Sequence, residues 1–347
     1  MIAIDQLEVI RRGFTLGPLD LTVGSGEYFV LLGPSGSGKT TLLEWIAGFV
    51  TSDRGTLQLG EQDATHLPPQ QRALGVVYQD SALFPNMSVR ENLSFALRMR
   101  GESEAACKRS VEQTAERLHI SHRLDAPIHA ISGGEKRRVA LGRALVAERK
   151  ILLLDEPLTG LDPALRREMR LELRAIQREL GLTIFHITHL MGEARMLADH
   201  LGVILGGKLL QSGSYNQLTN EPADERVASA LAVENFLAGD VRDGVLTCNS
   251  TGAALPAPVN AGGQVRGRVS DLRLALSSQG SKSIEGLYQG TEPGNDGALA
   301  ALVRVGQSAT HPGILLHASI PGDVRVDALQ YGDSVFLDFA DANWHLY

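Results

Sequence analysis

The chain has 347 residues, 43% of them hydrophobic, and a formal net charge of −7 at pH 7, which is long enough for two domains with sizeable cores. The acidic balance argues against nucleic acid or an anionic membrane surface as a bulk partner, and no apolar run reaches the ~20 residues of a membrane span. Cys107 and Cys248 lie far apart and predict free thiols of a reducing compartment, while the start MIAIDQLEVI carries acids where a signal peptide needs a positive region.

The first predicted strand of note is the apolar run YFVLL at 28–32, and the first predicted helix covers 40–48, with Leu42, Leu43 and Ile46 on one face. Between them Gly33, Pro34, Ser35, Gly36, Ser37, Gly38, Lys39, Thr40 and Thr41 fit the pattern G-x-x-x-x-G-K-[ST]. Glycines let successive backbone amides and a helix N-terminus converge on one anion. Lys39 then reaches the β- and γ-phosphates and Thr40 ligates Mg²⁺. In the order strand, loop, helix, this predicts a nucleotide hydrolase.

A short strand at 74–78 leads to Gln79, and Ser88 with Glu91 three residues on is spaced as a capping box. From 87 to 147 the pattern is helical: 102–118 is polar and amphipathic, and 133–147 opens on Gly133 and Gly134, whose amides with Ser132 can receive a phosphate. Residues 151–154, ILLL, read as a buried parallel strand ending in Asp155 and Glu156. Ligands of an open α/β sheet bind beyond the carboxyl ends of its strands, so Asp155 is expected to hold the Mg²⁺ shell and Glu156 to polarise the attacking water. In TIFHITH the strand alternation turns His186 and His189 in different directions, which makes His186 a core or surface histidine.

Residues 215–237 read as two short helices with Val227, Leu231 and Phe236 among their apolar positions. Alternating runs follow at 241–248, 264–269, 272–276, 298–305, 313–320, 334–339 and 343–347, punctuated by Gly, Pro, Asp and Asn as in a small barrel. The expected division is therefore an α/β domain over 1–235 and an all-β domain over 236–347.

ISGGEKRRVALGRAL (131–145), followed by ILLLDEPLTGLD (151–162), resembles the signature and the strand-end acids of the ABC ATPases, with Glu135 where L-S-G-G-Q usually has Gln. The resemblance runs through residues 1–215 and implies a P-loop ABC ATPase domain with a helical subdomain over 87–147. It makes Gln79 the Q-loop glutamine that contacts metal and lytic water, His189 the switch histidine at the γ-phosphate and Asp162 part of a D-loop between subunits. It also implies a homodimer in which Ser132, Gly133, Gly134 and Glu135 complete the ATP site of the opposite chain. The family's adenine-stacking aromatic aligns with Arg11, whose guanidinium plane can stack instead; Phe14 is the other candidate. Leu83, Phe84, Pro85, Asn86 and Met87 either line a groove for a permease helix or are core.

An ABC ATPase with a small C-terminal barrel resembles importer ATPases of the sugar, polyamine, sulfate, iron and molybdate group, whose tail is called TOBE. The strings at 25–49, 186–213 and 233–241 resemble the molybdate/tungstate branch, although that branch's Ser/Thr-Arg-Asn string is absent from the tail. This implies ATP and Mg²⁺ as cofactors, two integral-membrane permease subunits, an extracytoplasmic solute-binding protein acting indirectly, no nucleic acid, and a peripheral place on the cytoplasmic face of the inner membrane. Solutes such as sulfate, iron(III), polyamines or sugars are the alternative, and a soluble non-transport ABC ATPase is a rival class. In the tail the donor-rich segments 277–283, with Lys282, and 307–313, with Ser308, Thr310 and His311, are either oxyanion ligands or ordinary polar turns.

Overall fold

The structure is a computed structural model and describes residues 1–249, 253–257, 263–270, 272–277, 282–293, 299–306, 314–321, 324–340 and 342–346. The chain divides into two compact units, Met1–Tyr215 and Asn216–Tyr347.

In chain order the first unit comprises β1 (Ile2–Arg11), β2 (Phe14–Val23), β3 (Tyr28–Leu32), α1 (Lys39–Ala47), β4 (Arg54–Leu59), β5 (Gln62–Asp63), β6 (Leu74–Val77), α2 (Val89–Met99), α3 (Glu104–Arg117), α4 (Gly133–Leu145), β7 (Ile151–Asp155), α5 (Pro163–Leu180), β8 (Thr183–Thr188), α6 (Met191–Leu197), β9 (His200–Leu205) and β10 (Lys208–Gly213). Six strands form one sheet in the order β10-β9-β3-β8-β7-β6. β3 lies parallel between β8 and β9, and β7 lies parallel between β6 and β8. Every position of β3, β7 and β8 is buried, as continuous apolar runs require when helices and a second sheet cover both faces. That second sheet is antiparallel, ordered β2-β1-β4-β5, and its Ile2, Leu7, Leu16 and Leu57 share a core with Phe29, Trp45 and Phe185.

The helix ends follow their sequences. Ser88 and Glu91 form the expected capping box at α2. Asp162 caps α5 by accepting from the amides of Ala164 at 3.1 Å and Leu165 at 3.0 Å, with Pro163 at the first helical position. Helices α2, α3 and α4 pack on one another and correspond to the helical segment expected over 87–147. No helix among the described residues is long and apolar enough to cross a membrane.

Helix α7 (Tyr215–Asn220) opens at the last residue of the first unit, and α8 (Glu225–Ala230) follows in the second unit. That unit continues with β11 (Phe236–Arg242), β12 (Val245–Cys248), β13 (Ala254–Pro256), β14 (Gly263–Ser270), β15 (Arg273–Ala275), β16 (Ser283–Pro293), β17 (Leu299–Val305), β18 (Ile314–Ser319), β19 (Ser334–Asp338) and β20 (Asn343–Leu346). The barrel expected of the tail is present: β15-β18-β17-β16-β19 close on themselves around Ala301, Val303, Leu316, Val335 and Leu337. It is accompanied by a five-stranded sheet, β13-β12-β11-β14-β20.

Three local expectations differ from the structure. The run 241–248 is a hairpin rather than one strand, because Asp243 and Gly244 take φ of 52° and 75° and turn the chain between Arg242 and Val245. Phe236 opens a strand rather than ending a helix. The strand β16 was not anticipated: Gly286, Gly290 and Pro293 interrupt its alternation, and a register shift falls between Tyr288 and Gly290. The segment 307–313, with Ser308, Thr310 and His311, lies outside the described residues.

Candidate active site

Strand β3 delivers the chain into the phosphate-type loop and α1 carries it away. Gly33 packs so closely that a Cβ there would stand 2.3 Å from the Ile204 carbonyl oxygen. Gly38, at φ 101°, leaves 2.9 Å between its missing Cβ and the ring tip of Phe14. Lys39, the first residue of α1, is 5% exposed, and its Nζ donates to the carbonyls of Gly33 at 2.7 Å and Pro34 at 2.9 Å. Burial pulls its pKa below the ordinary lysine value, with Glu156 and Asp155 opposing. The first turn of α1 holds no acid and no side chain caps it, so its amides present the positive end of the helix dipole to the loop. The Ser37 hydroxyl is buried without a hydrogen-bond partner among the described residues. A buried unpaired hydroxyl, an ammonium and free amides around one loop fit an oxyanion such as a polyphosphate.

The carboxylates stand where β7 ends. Thr40 Oγ1 donates to Asp155 Oδ2 at 3.4 Å, which brings together the two residues expected to share a divalent cation. Asp155 is 7% exposed; burial raises its pKa and the charge of Glu156 adds to the rise. An added dication would reverse that by favouring the ionised form, so this pair suits Mg²⁺, to which a hydroxyl and one carboxylate are ordinary ligands. Among the described residues no three of His, Cys, Asp and Glu gather into a cluster that could hold a metal ion.

Glu156 takes φ 43°, held by its amide donating to Ile187 O at 3.0 Å. Its Oε2 accepts from Thr159 Oγ1 at 3.1 Å, and its Oε1 lies 3.1 Å from His189 Nδ1. A carboxylate oriented by a hydroxyl and an imidazole at the mouth of a phosphate loop can accept a proton from water. His189 is exposed just beyond β8, whereas His186 is fully buried within it. Its Nδ1 lies 2.9 Å from the Tyr28 hydroxyl, and its Nε2 lies 3.4 Å from Glu193 Oε2 on α6. Of the two readings, core and surface, the structure selects core. Burial alone would push Glu193 up, yet the bonds from His186 and Thr188 leave its carboxyl below the usual range.

Other expected site residues lie around this centre. Gln79 is exposed two residues beyond the end of β6, and its described contact is through its carbonyl, which accepts from Arg137 Nη1 at 3.3 Å. Ser132 caps α4 in a capping box with Glu135: Ser132 N donates to Glu135 Oε2 at 2.8 Å and Ser132 Oγ accepts from Glu135 N at 3.2 Å. Those bonds and the Arg123 guanidinium at 2.6 Å hold the Glu135 carboxyl down at about 2. No described contact joins Ser132, Gly133, Gly134 or Glu135 to the loop at 33–41. Arg11 is exposed and donates to the carbonyls of Thr51 at 3.0 Å and Ile10 at 2.9 Å. Phe14 packs partly buried against the main core, and Phe84 lies against Phe95 with ring centroids 4.5 Å apart and the planes tilted by 46°.

Sequence reasoning missed four side chains that hold the site together. Glu193 pairs with the core histidine, Arg72 grips the end of α1, and Arg137 and Arg143 of α4 grip the chain after β6. The three arginines meet backbone carbonyls and Glu193 meets a residue on another element, so the signal in the sequence was no more than a charged residue in an otherwise apolar or motif-bearing stretch.

The ABC transporter family profile matches residues 16–159. The chain is 41% identical over 283 residues to the molybdate/tungstate import ATP-binding protein of Thermococcus kodakarensis, covering 82% of this chain and 85% of that one. To the molybdate/tungstate import ATP-binding protein of Pyrococcus horikoshii it is 34% identical over 349 residues, covering 100% of both. A maltose/maltodextrin import ATP-binding protein of Escherichia coli K12 is 43% identical over 221 residues, 63% of this chain and 60% of that one. Among solved structures, an ATP-binding cassette determined as a dimer in a post-hydrolysis state with ADP and Pi has the same fold, at a TM-score of 0.57 and 22% identity over 62% of this chain and 98% of that one.

Proposed function

The chain belongs to the ABC transporter family as an ATP-hydrolysing import subunit, and from that premise we propose that it energises uptake of an oxyanion, molybdate or tungstate, through separate permease subunits. The observation that carries the solute is the full-length match to a molybdate/tungstate import ATP-binding protein. Polyamine and sugar import relatives reach 43% identity but over only 65% and 63% of the chain. Residues 1–235 serve as the ATP-binding domain and 236–347 as the tail.

In this reading the amides of residues 33–41 and Lys39 bind the phosphates of ATP, and Arg11 lies against the adenine. Thr40, Asp155 and Gln79 would hold Mg²⁺, which when bound would supply positive charge toward the phosphates. Glu156 takes a proton from the attacking water, and His189, 3.1 Å away, orients both the carboxylate and the γ-phosphate. The side chain at 156 is already fixed by Thr159, so little reorganisation is left for the reacting state. Ser132, Gly133, Gly134 and Glu135, at the N-terminus of α4, serve the ATP of a second copy, and Asp162, the cap of α5, belongs to the segment that passes between the two chains. The working unit is a homodimer at the cytoplasmic face of the inner membrane, fed indirectly by an extracytoplasmic binding protein. ATP closes the two chains on each other and hydrolysis releases them, which turns the permease.

Replacing Glu156 with Gln should lower ATP turnover by about 10²–10⁴-fold while a fluorescent ATP analogue binds within a fewfold of the parent. In cells carrying the neighbouring permease, the same variant should lose uptake of labelled molybdate. Parental turnover would remove Glu156 from the base role; unchanged molybdate uptake with lost turnover would remove the solute assignment.

A further inference from the structure

Ser132 caps helix α4, whose second turn carries Arg137. The guanidinium of Arg137 has no carboxylate within bonding distance among the described ion pairs. It instead donates to three backbone carbonyls from two segments: Nη1 to Gln79 O at 3.3 Å and to Pro157 O at 2.9 Å, and Nη2 to Thr159 O. Burial lowers its pKa, with Asp80 and Glu193 opposing. Six residues along the same helix, Arg143 donates to Ala82 O at 2.7 Å and Ser81 O at 3.4 Å, with its guanidinium 5.4 Å from the Phe84 ring centroid. Helix α4 therefore holds the chain after β6 at two places.

Only Arg137 also reaches the other segment, which runs from Glu156 into the turn before α5. Pro157 O and Thr159 O flank the residues that fix the Glu156 carboxylate, because Thr159 Oγ1 donates to Glu156 Oε2 and Thr159 N donates to Glu156 O at 3.2 Å. A planar fork with five donors can bridge two chains of carbonyls in one geometry; a lysine ammonium on a flexible stem cannot hold the same spread.

We propose that Arg137 is a positioning residue for hydrolysis: it fastens the segment carrying Gln79 and the segment carrying Glu156 to the helix that starts at Ser132, so that any displacement of α4 reaches both at once. The proposal rests on the ATP-hydrolysing reading above and assigns to one guanidinium the transmission from the exposed signature to the chain's own carboxylate. Arg138, its neighbour, is anchored differently. It pairs with Glu168 at 2.6 Å and donates to Leu118 O at 3.3 Å, so it secures α4 without touching either segment.

The test compares full-length parent, Arg137→Ala, Arg137→Lys and Arg138→Ala by steady-state ATPase, binding of a fluorescent ATP analogue, thermal midpoint and amide hydrogen exchange. Arg137→Ala should lose about tenfold in kcat, equivalent to about 1.4 kcal/mol, with KM and analogue binding within about twofold of the parent. Arg137→Lys should recover only part of the loss. Exchange should quicken at residues 79–82 and 157–161 together in Arg137→Ala and stay parental there in Arg138→Ala. A kcat for Arg137→Ala within twofold of the parent overturns the proposal, as does a loss that disappears on cooling in step with a lowered midpoint. A parent with no ATP turnover instead overturns the hydrolytic reading; Arg137 is then decided by exchange alone, and release of one segment without the other sinks it.

Discussion

Arg72 offers the sharpest test of how the phosphate loop is supported from behind. It is 5% exposed, and its guanidinium donates to the carbonyls of Trp45 at 2.6 Å, Ile46 at 2.9 Å, Leu67 at 2.8 Å and Thr65 at 3.4 Å. Trp45 and Ile46 belong to the last turn of α1, where carbonyls lack helical donors and a cation is favoured by the dipole. Burial lowers the pKa of this arginine, and carbonyls alone hold its charge. In Arg72→Met the apolar stem survives and the donors go. Trp45 O keeps the Gly48 amide at 3.0 Å, Thr65 O loses only a long contact, and Ile46 O and Leu67 O lose short charged donors. At about 1–3 kcal/mol for each buried carbonyl left without its donor, less the relief of no longer burying a charge, the expected loss is about 3 kcal/mol. For a unit of this size that is a fall of roughly 6–12 °C in the melting midpoint. Circular dichroism melts of parent, Arg72→Met and Arg72→Lys measure it, with Lys placed between the other two. A midpoint for Arg72→Met within about 2 °C of the parent would refute the reasoning, and so would a lysine variant as stable as the parent.

Two further outcomes are expected. Glu135→Ala should cost about 0.5–2 kcal/mol by opening the capping box of α4, and the cost should depend on pH. The folded pKa, about 2, is depressed from 4.5, so the stabilisation is complete above pH 4.5 and lost as pH falls toward 2; urea midpoints of parent and variant that stay equally far apart down to pH 2.5 contradict it. Gly38→Ala places a Cβ 2.9 Å from Phe14 at a left-handed φ of 101° and should weaken ATP binding at least tenfold by calorimetry. Gly60→Ala, equally left-handed at φ 65° but in open space, should cost about 1 kcal/mol and leave binding unchanged; equal affinities in both variants would show that loop geometry does not control the nucleotide.

The parts of the site that were legible in the sequence are those whose geometry is local. Nine residues from Gly33 to Thr41 determine their own loop, and a four-residue apolar run before Asp155 determines a buried strand with acids at its end. Ser88 with Glu91 and Ser132 with Glu135 carry their cap partners three residues away. What stayed hidden depends on distant backbone: the partners of Arg72 at 45 and 46, and those of Arg137 at 79, 157 and 159, are carbonyls that any residue supplies, so no pattern in side chains marks them. The tail was read as a barrel from its alternation, but β16 escaped because a bulge at Gly290 breaks the period of two, and the hairpin at Asp243 and Gly244 was merged into one strand because apolar residues continue on both sides of it.

The buried line of Tyr28, His186 and Glu193 has a consequence for how sequences of this kind can diverge. The Tyr28 hydroxyl hydrogen-bonds His186, and His186 lies within ion-pairing distance of Glu193; the three come from different elements, β3, β8 and α6, and none is exposed beyond 1%. Removing the imidazole leaves the Glu193 carboxylate to Thr188 and the charge of Arg166 and takes from the Tyr28 hydroxyl its described partner, whereas exchanging all three polar groups together for apolar ones of equal volume leaves no buried group unpaired. A single replacement at 28, 186 or 193 therefore costs more than a concerted one, which ties the three positions to one another.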